Sequence, residues 1–297
     1  MAAVDDRRTK LNPDESPLAI ICGGGSLPFA VADAARRAGW TVILFAIEGW
    51  ADTAAVARYQ HHWVGLGQFG RFRRLARAAG CRKVVCIGTV LRPSVSTLRP
   101  DWATVRLLPR LYRLFRGGDD HLLSGLGRIF EEHGFHLLGA HEIAPDILVP
   151  AGALGRREPS ERDREDIARG FALIAAMGPF DVGQAAVIAD RRVLAVEAAE
   201  GTDAMLERIG ELRRLGRIRS PAGVGVLVKA PKPEQDRRLD LPSIGPTTIE
   251  RTVAAGLGGV AVRAGEVIIV QPVAVAAAAD QAGIFVVGVA GDPVAGA

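Results

Sequence analysis

The sequence predicts an α/β protein with an N-terminal Rossmann-like domain built on a parallel sheet and a C-terminal α+β domain. Three observations support this class. The 297 residues are enough for two domains, each with its own core. The first half alternates short apolar runs, glycine turns and helical stretches, which is typical of a doubly wound sheet. The second half mixes hairpins with helices, which favours an α+β arrangement.

The composition indicates a folded globular protein, with 48% hydrophobic and 24% charged residues. A formal charge of +4 suits anionic ligands or surfaces without choosing among them. Basic patches interleaved with aromatic residues are missing, so we expect no nucleic-acid partner. Cys22, Cys81 and Cys86 lack CxxC spacing and are predicted to be core residues in a reducing cytoplasm. Residues 1–17 are polar and are predicted to be a flexible arm, and no apolar run approaches the ~18 residues of a membrane span.

The first predicted element is a strand at Leu18–Cys22, followed by a glycine turn and a helix that opens near Pro28 and ends at Gly39. A second strand follows at Thr41–Ile47. Glycines let the backbone approach a diphosphate, and the helix N-terminus supplies N–H donors. The match to GxGxxG is imperfect, so a merely tight turn is the alternative. The nucleotide-binding residues predicted here are Gly24, Gly25, Ser26 and Leu27.

A second unit repeats this pattern, with a short strand at His62–Val64, a basic helix from Arg71 to Ala79 and a third strand at Lys83–Ile87. Ligands of open α/β sheets bind outside the carboxyl ends of the strands. The glycine turns at Gly23, Gly65 and Gly88 should therefore converge. The further nucleotide-binding residues predicted on this basis are Gly67, Gln68, Gly70, Thr89 and Arg92.

The stretch from Val105 to Arg116 is amphipathic, with arginines on one side and leucines on the other. It predicts either a core-facing helix or adhesion to an anionic membrane surface through Arg106, Arg110 and Arg113. A last strand at Phe135–Ala140 completes a nucleotide-binding domain over residues 18–144. We expect a hinge at 145–160, where glycine and proline recur, and a second domain at 161–297.

The second domain is predicted to begin with a helix at Glu161–Met177 and a hairpin of two strands, Ala185–Ile188 and Val193–Val196. Thr202 or Asp203 should cap the next helix. Capping explains Asp203 but not Glu197 and Glu200, so a carboxylate cluster is expected there.

The most informative stretch is the loop from Lys229 to Glu250, which follows an apolar strand at 224–228. Prolines at 231, 233 and 242 stiffen it. Six of its charged residues suit a phosphorylated ligand together with a metal or a general base, although a solvated surface turn is the alternative. Thr247 or Thr248 is predicted to cap the helix that follows. The six charged residues are Lys229, Lys232, Asp236, Arg237, Arg238 and Asp240.

Five motifs in this chain resemble those of one family, and the resemblance runs from about Leu18 to the C-terminus. The family is the UDP-2,3-diacylglucosamine pyrophosphatases of lipid A biosynthesis, in the form that is not built on the metallophosphoesterase fold. The motifs are GGGSLP at 23–28, GDDHLL at 118–123, DVGQA at 181–185, VEAAEGTDAM at 196–205 and KAPKPEQDRRLDLPSIG at 229–245.

The resemblance implies a magnesium-dependent hydrolase that splits UDP-2,3-diacylglucosamine into UMP and 2,3-diacylglucosamine 1-phosphate, called lipid X. It also implies a first domain that binds UDP, a catalytic second domain that binds lipid, and a chamber between them. The substrate is a glycolipid of Gram-negative bacteria. We therefore expect a cytoplasmic protein that is peripheral to the inner membrane, and a homodimer is a candidate assembly.

The resemblance further implies that Asp236 is the essential acidic residue, because it occupies the aspartate position of the family's KPxQDxR run. Asp236 would hold the metal or orient water, while Lys229, Lys232 and either Arg237 or Arg238 would offset phosphate charge. The expected lipid-phosphate ligands are Lys229, Gly201, Thr202 and Gln235. The expected Mg²⁺ ligands are Asp236, Asp240, Glu200 and Asp203.

Two rival functions remain open from the residues alone. An NAD-dependent oxidoreductase would use the first domain as a true Rossmann unit, with Glu48 binding a ribose hydroxyl. A non-catalytic nucleotide-sugar-binding protein would keep the site without the hydrolysis.

Overall fold

The structure, a computed structural model, describes residues 16–90, 99–115, 119–233 and 235–291, of which the side chains at 115 and 119–123 are left undescribed. The chain divides into two compact units: the first contains residues 1–116 and 124–144, and the second contains residues 117–123 and 145–297. In the described ranges, no helix is long and apolar enough to cross a membrane.

The first unit is built on a sheet of five parallel strands. Their spatial order is β3-β2-β1-β4-β5. Doubly wound nucleotide-binding folds have the same arrangement in their first five strands. The strands are β1 (Leu18–Cys22), β2 (Val42–Ile47), β3 (His61–Val64), β4 (Lys83–Ile87) and β5 (His136–Leu138).

Six helices accompany this sheet in the described ranges. Pro28 lies in the first turn of α1, as predicted, where its missing N–H costs nothing. α4 begins at Trp102, three residues earlier than predicted, because the Asp101 carboxylate accepts a hydrogen bond from the Thr104 backbone N–H at 2.9 Å. The helices are α1 (Leu27–Arg37), α2 (Thr53–Val56), α3 (Phe69–Ala78), α4 (Trp102–Phe115), α5 (Asp119–Glu132) and α6 (Ala140–Ile143).

The second unit contains a six-stranded mixed sheet and a separate pair of short parallel strands. The sheet order is β6-β13-β11-β9-β7-β8, in which β9, β11 and β13 are parallel and the remaining pairings are antiparallel. The strands are β6 (Gly152–Ala153), β7 (Ala185–Ala189), β8 (Arg192–Val196), β9 (Val226–Lys229), β10 (Ser243–Ile244), β11 (Gly259–Arg263), β12 (Ile268–Ile269) and β13 (Phe285–Val289).

Helices cover both faces of this second sheet. Phe171 of α7 packs with Val226 and Val228 on one face, while Met205 of α8 and Ile249 of α9 pack into the core on the other. Successive residues of β9 therefore alternate between two apolar cores, which explains why its sequence is continuously hydrophobic. The helices are α7 (Glu161–Met177), α8 (Gly201–Arg214), α9 (Pro246–Ala254) and α10 (Pro272–Ala282).

The hairpin between β7 and β8 turns through Asp190 and Arg191, both with positive φ, as two-residue hairpin turns require. The buried Asp166 of α7 accepts hydrogen bonds from both turn amides, at 3.0 and 2.6 Å. This contact joins the hairpin to the helix that covers the sheet.

The α/β class, with a parallel sheet in the first unit and a mixed sheet in the second, is confirmed. Two predicted helix caps were wrong. α8 begins at Gly201 after an N-cap at Glu200, so Thr202 and Asp203 lie inside its first turn. α9 begins at Pro246, because proline suits the first helical position and Gly245 precedes it in an extended conformation.

The segment predicted to be a hinge, 145–160, bonds to the second unit over much of its length. Val149 N–H donates to the Val267 carbonyl, and Leu154 N–H donates to the Val286 carbonyl. Gly152–Ala153 also forms β6 at the edge of the sheet. The segment groups with the second unit from Pro145 onwards, and a hinge within it stays a prediction.

Candidate active site

The start of β7 and the ends of β8 and β9 lie side by side in the second sheet, and this arrangement brings polar residues from three segments together. Ala185, at the start of β7, pairs with Lys229 at the end of β9, and Ala186 pairs with Val196 at the end of β8. Because β7 runs against both neighbours, its first residues lie beside the carboxyl ends of β8 and β9. The DVGQA motif, Glu197 and the Lys229 loop thus converge.

Lys229 is the centre of this cluster and is only 8% exposed. Its Nζ donates to Thr202 Oγ1 at 3.0 Å and to the Ser243 carbonyl at 3.1 Å. Burial lowers the pKa of this ammonium, and the negative charges of three nearby carboxylates oppose that shift. Those carboxylates are Glu197, Asp203 and Asp240.

A second layer of hydrogen bonds orients these groups. Glu197 accepts from Thr202 Oγ1 at 2.8 Å and from the Gln184 backbone N–H at 3.1 Å. Asp240 accepts from Gln184 Nε2 at 2.8 Å and from Gln235 Nε2. Gln184 therefore links two carboxylates, and the network restrains side chains that would otherwise sample many rotamers.

Lys232 is the second buried lysine, at 5% exposure, and its ammonium pairs with Asp181. Its backbone N–H donates to Gln235 Oε1 at 3.0 Å. Asp181 itself lies in the left-handed region, with φ of 51°. A buried cation needs a counter-charge, and Asp181 supplies one from the DVGQA segment.

Asp236 is bound by Arg238 and not by the cations predicted to neighbour it. Asp236 accepts from Nε and the backbone N–H of Arg238 at 3.0 and 3.1 Å, and from its terminal nitrogen at 2.9 Å. This guanidinium lowers the pKa of Asp236, so the carboxylate is ionised at neutral pH. Arg237 instead pairs with Glu266 at 3.2 Å, so the structure does not bring its side chain into the cluster.

The four predicted magnesium ligands do not form a ready-made site. In the described ranges, no three His, Cys, Asp or Glu side chains are grouped closely enough to bind a metal ion. Glu200 pairs with Arg208 at 3.0 Å, Asp236 is occupied by Arg238, and Lys229 lies among the charges of Asp203 and Asp240. The residues as arranged therefore do not fit an all-protein magnesium site.

Gly183 shows why the DVGQA segment can approach β8 so closely. A Cβ added at this position would lie 2.2 Å from the Glu197 carbonyl oxygen, a distance that no side chain tolerates. The absent side chain lets the chain pass Glu197 and place Gln184 beside it. The glycine of the motif is thus a packing requirement of the site.

In the first unit, two of the three glycine turns meet as predicted. Gly24 and Thr89 exchange backbone hydrogen bonds at 2.9 and 3.0 Å, which joins the carboxyl ends of β1 and β4. Gly88 has φ of 102°, and a Cβ there would lie 2.8 Å from Pro28 Cγ. Gly25, Ser26 and Leu27 lead from this junction into α1.

The third glycine turn bonds to a different segment. The Gly67 carbonyl accepts from the Asp101 N–H at 3.1 Å, and Gln68 Oε1 accepts from the Gly65 N–H at 3.0 Å. Gln68 is the N-cap residue of α3, and Gly70 lies in the first turn of that helix. Arg92 lies outside the described residues.

Two members of the cluster, Asp181 and Gln184, were not predicted as site residues, and Glu197 was expected in a carboxylate cluster without an assigned role. The partners of Lys229 are Thr202 of α8 and Ser243 of β10, and the partner of Lys232 is Asp181, which precedes β7. The signal in the sequence was the position of DVGQA directly before a predicted strand. Because that strand runs antiparallel to β9, the motif lies beside the end of β9.

Known families and proteins match both units. The family described as "LpxI N-terminal domain" matches residues 17–147, and that described as "LpxI C-terminal domain" matches 150–287. The chain is also 42% identical over 272 residues to UDP-2,3-diacylglucosamine pyrophosphatase LpxI of Caulobacter vibrioides, a match covering 92% of this chain and 97% of that protein. The chain belongs to the LpxI family.

Proposed function

We propose that this protein hydrolyses the diphosphate of UDP-2,3-diacylglucosamine to UMP and 2,3-diacylglucosamine 1-phosphate. The observation that carries the proposal is the pair of buried lysines, Lys229 and Lys232, in a fully hydrogen-bonded polar network at the end of β9. Family membership and the name of the Caulobacter relative point to the same reaction.

The chemistry needs negative charge on the phosphates to be offset while water is held in line. Water adds to one phosphorus, the P–O–P bond breaks, and its bridging oxygen leaves with the other phosphate. Lys229, with Thr202 and the start of α8 at Gly201, would bind the lipid-side phosphate. Lys232 and Gln235 would contact the diphosphate beside Lys229. The ionised Asp236 would orient the attacking water.

We propose that Mg²⁺ binds to this protein together with the substrate and not to the protein alone. Mg²⁺ is commonly bound by one or two carboxylates together with substrate phosphate oxygens, and such a site need not exist before substrate arrives. Asp240 and Asp203, which lie near Lys229, are the carboxylates available for that arrangement.

The assignment of the uridine nucleotide to the first unit rests on the junction of the Gly23 and Gly88 turns at the carboxyl edge of a parallel sheet. The glycolipid would then bind to the second unit. Protection of residues 18–90 from amide exchange by UMP would support this assignment, whereas protection confined to residues after Pro145 would reverse it.

The test of the proposed reaction is Asp236→Ala, with Asp280→Ala as the matched control. Asp280 is another carboxylate of the second unit that binds an arginine, Arg156, but lies on α10 away from the cluster. We expect UMP release to fall at least a hundredfold in Asp236→Ala and to stay within a few fold of wild type in Asp280→Ala.

Glycolipid retention and circular dichroism establish whether the Asp236 variant is folded. Turnover by Asp236→Ala within a few fold of wild type would remove this residue from the mechanism. Absence of UMP release by the wild type would favour a non-catalytic binding protein. Carrying out the reaction in isotopically labelled water and following the label into UMP or the lipid phosphate would show which phosphorus is attacked.

A further inference from the structure

An arginine-lined groove lies on the first unit, between α3 and the start of α4. α3 reads FGRFRRLARA, so it carries four arginines and no acidic residue. The groove encloses about 510 Å³ and is lined by Arg73, Arg74 and Arg77 on one side and by Asp101 and Trp102 on the other.

The groove has an excess of positive charge. Within the described part of the chain, Arg73 and Arg74 have no carboxylate partner, and Arg77 donates to the neutral His133 carbonyl at 2.9 Å. The one carboxylate, Asp101, is occupied by backbone and hydroxyl donors of Arg71 and Thr104. Arg74 and Arg77 are exposed and Arg73 is half-buried, so three arginines line the groove with one carboxylate.

The adjoining face of α4 exposes large apolar side chains. Trp102 is 71% exposed, Tyr112 65% and Leu108 43%, whereas Thr104 and Leu114 on the opposite side are buried. Arg106 lies over the Trp102 ring, 5.9 Å from its centroid. Tryptophan, tyrosine and arginine on one exposed face are typical of elements that lie at a membrane–water interface.

We propose that this groove and the exposed face of α4 form one surface that docks on an anionic phospholipid bilayer. The choice of occupant rests on charge complementarity and on the proposed function, because a substrate with acyl chains lies in a bilayer. Of the three arginines that the sequence predicts for membrane contact, Arg106 and Arg113 are exposed, whereas Arg110 pairs with Glu132 of α5. The arginines of α3 extend this basic component beyond α4.

Vesicle binding by charge-reversal variants tests the surface. The protein would be mixed with vesicles of phosphatidylcholine and phosphatidylglycerol in equal amounts, at low salt, and sedimented. The variant R73E/R74E should bind at least tenfold more weakly than wild type, since each basic residue near such a surface strengthens binding about fivefold. The control R217E/R219E makes the same charge change at two exposed arginines of the second unit and should bind within about threefold of wild type.

Tryptophan quenching supplies a second readout that net charge alone would not produce. Brominated phosphatidylcholine in the same vesicles should quench the wild-type fluorescence, and W102F should lose most of that quenching. Equal losses in the two charge variants, or unchanged quenching in W102F, would overturn the proposal. Equally tight binding of inorganic pyrophosphate to the groove, lost in R73E/R74E, would make it a soluble-phosphate site instead.

The docking surface and the proposed reaction fail separately. R73E/R74E should release UMP from detergent-dispersed glycolipid at the wild-type rate, because neither arginine belongs to the lysine cluster or to the Gly24–Thr89 junction to which the nucleotide is assigned. Full vesicle binding by a wild type that releases no UMP would refute the reaction and leave the surface intact. Loss of UMP release by R73E/R74E on dispersed substrate would refute the surface as a purely membrane-docking element.

Discussion

Replacing Thr202 with valine should loosen the lysine cluster without changing its shape. Thr202 Oγ1 donates to Glu197 at 2.8 Å and accepts from Lys229 at 3.0 Å, so one hydroxyl serves two charged groups. Valine has nearly the same volume and no hydroxyl. Hydrogen bonds to charged groups contribute about 1.5–3 kcal/mol each, and partial access of water to the half-buried Thr202 reduces this to about 2–4 kcal/mol in total.

Amide exchange of β9 measures this effect directly. The four tryptophans lie at 40, 50, 63 and 102, so the unit that holds the cluster has no tryptophan of its own, and amide exchange is the more direct probe. A loss of about 2–4 kcal/mol should accelerate exchange of the Val226–Lys229 amides by about 30- to 700-fold.

Thr252→Val is the matched control. Thr252 is fully buried, and its hydroxyl donates to the neutral Thr248 carbonyl at 2.7 Å within α9. Losing that bond should cost about 1 kcal/mol, or roughly fivefold in exchange. If Thr202→Val accelerates exchange no more than Thr252→Val does, the hydroxyl does not join the two charges energetically and the reasoning is wrong.

Three further predictions concern packing, pH and metal. Gly183→Ala should lower the free energy of unfolding of the second unit by more than about 2 kcal/mol, because its Cβ would meet the Glu197 carbonyl oxygen at 2.2 Å. The control Gly265→Ala, at an open position with φ of 72°, should cost about 1 kcal/mol. Denaturation followed by circular dichroism compares the two variants, and equal costs would contradict the contact. The Asp236–Arg238 pair should add stability above the unfolded pKa of aspartate, about 3.9, and lose it as pH falls through the lower folded pKa, so the wild type should lose its advantage over Asp236→Asn between about pH 5 and pH 2. Parallel thermal midpoints over that range would exclude the pair as a source of stability. A chelator should abolish UMP release, while calorimetry with Mg²⁺ and no substrate should show only weak binding, since the described residues form no three-ligand group; tight binding without substrate would contradict this.

The resemblance to a known family and the reading of single residues contributed differently to the site. Asp236, Lys232 and Lys229 were named from the charged loop and its motif, and the structure places the two lysines inside a buried network. Arg237 and Arg238 are adjacent in sequence, and the motif alone does not distinguish which of them would offset phosphate charge. Their side chains leave the backbone in different directions, and only Arg238 reaches Asp236.

What the sequence determined by itself was the local structure. Apolar runs bounded by glycine and proline located the long strands, since period and turn chemistry are local properties of the chain. Short elements such as β10 and β12 were not predicted, because two residues carry no period of their own.

Only the tertiary structure decided which residues meet. Asp181 reaches Lys232 across 51 positions of the chain and Gln184 reaches Asp240 across 56, because β7 runs antiparallel to β9. The register of that pairing follows from packing two apolar faces at once, which no single segment encodes. In the first unit, packing likewise pairs Arg110 of α4 with Glu132 of α5 and leaves Trp102 in solvent, neither of which the amphipathic pattern of α4 indicates.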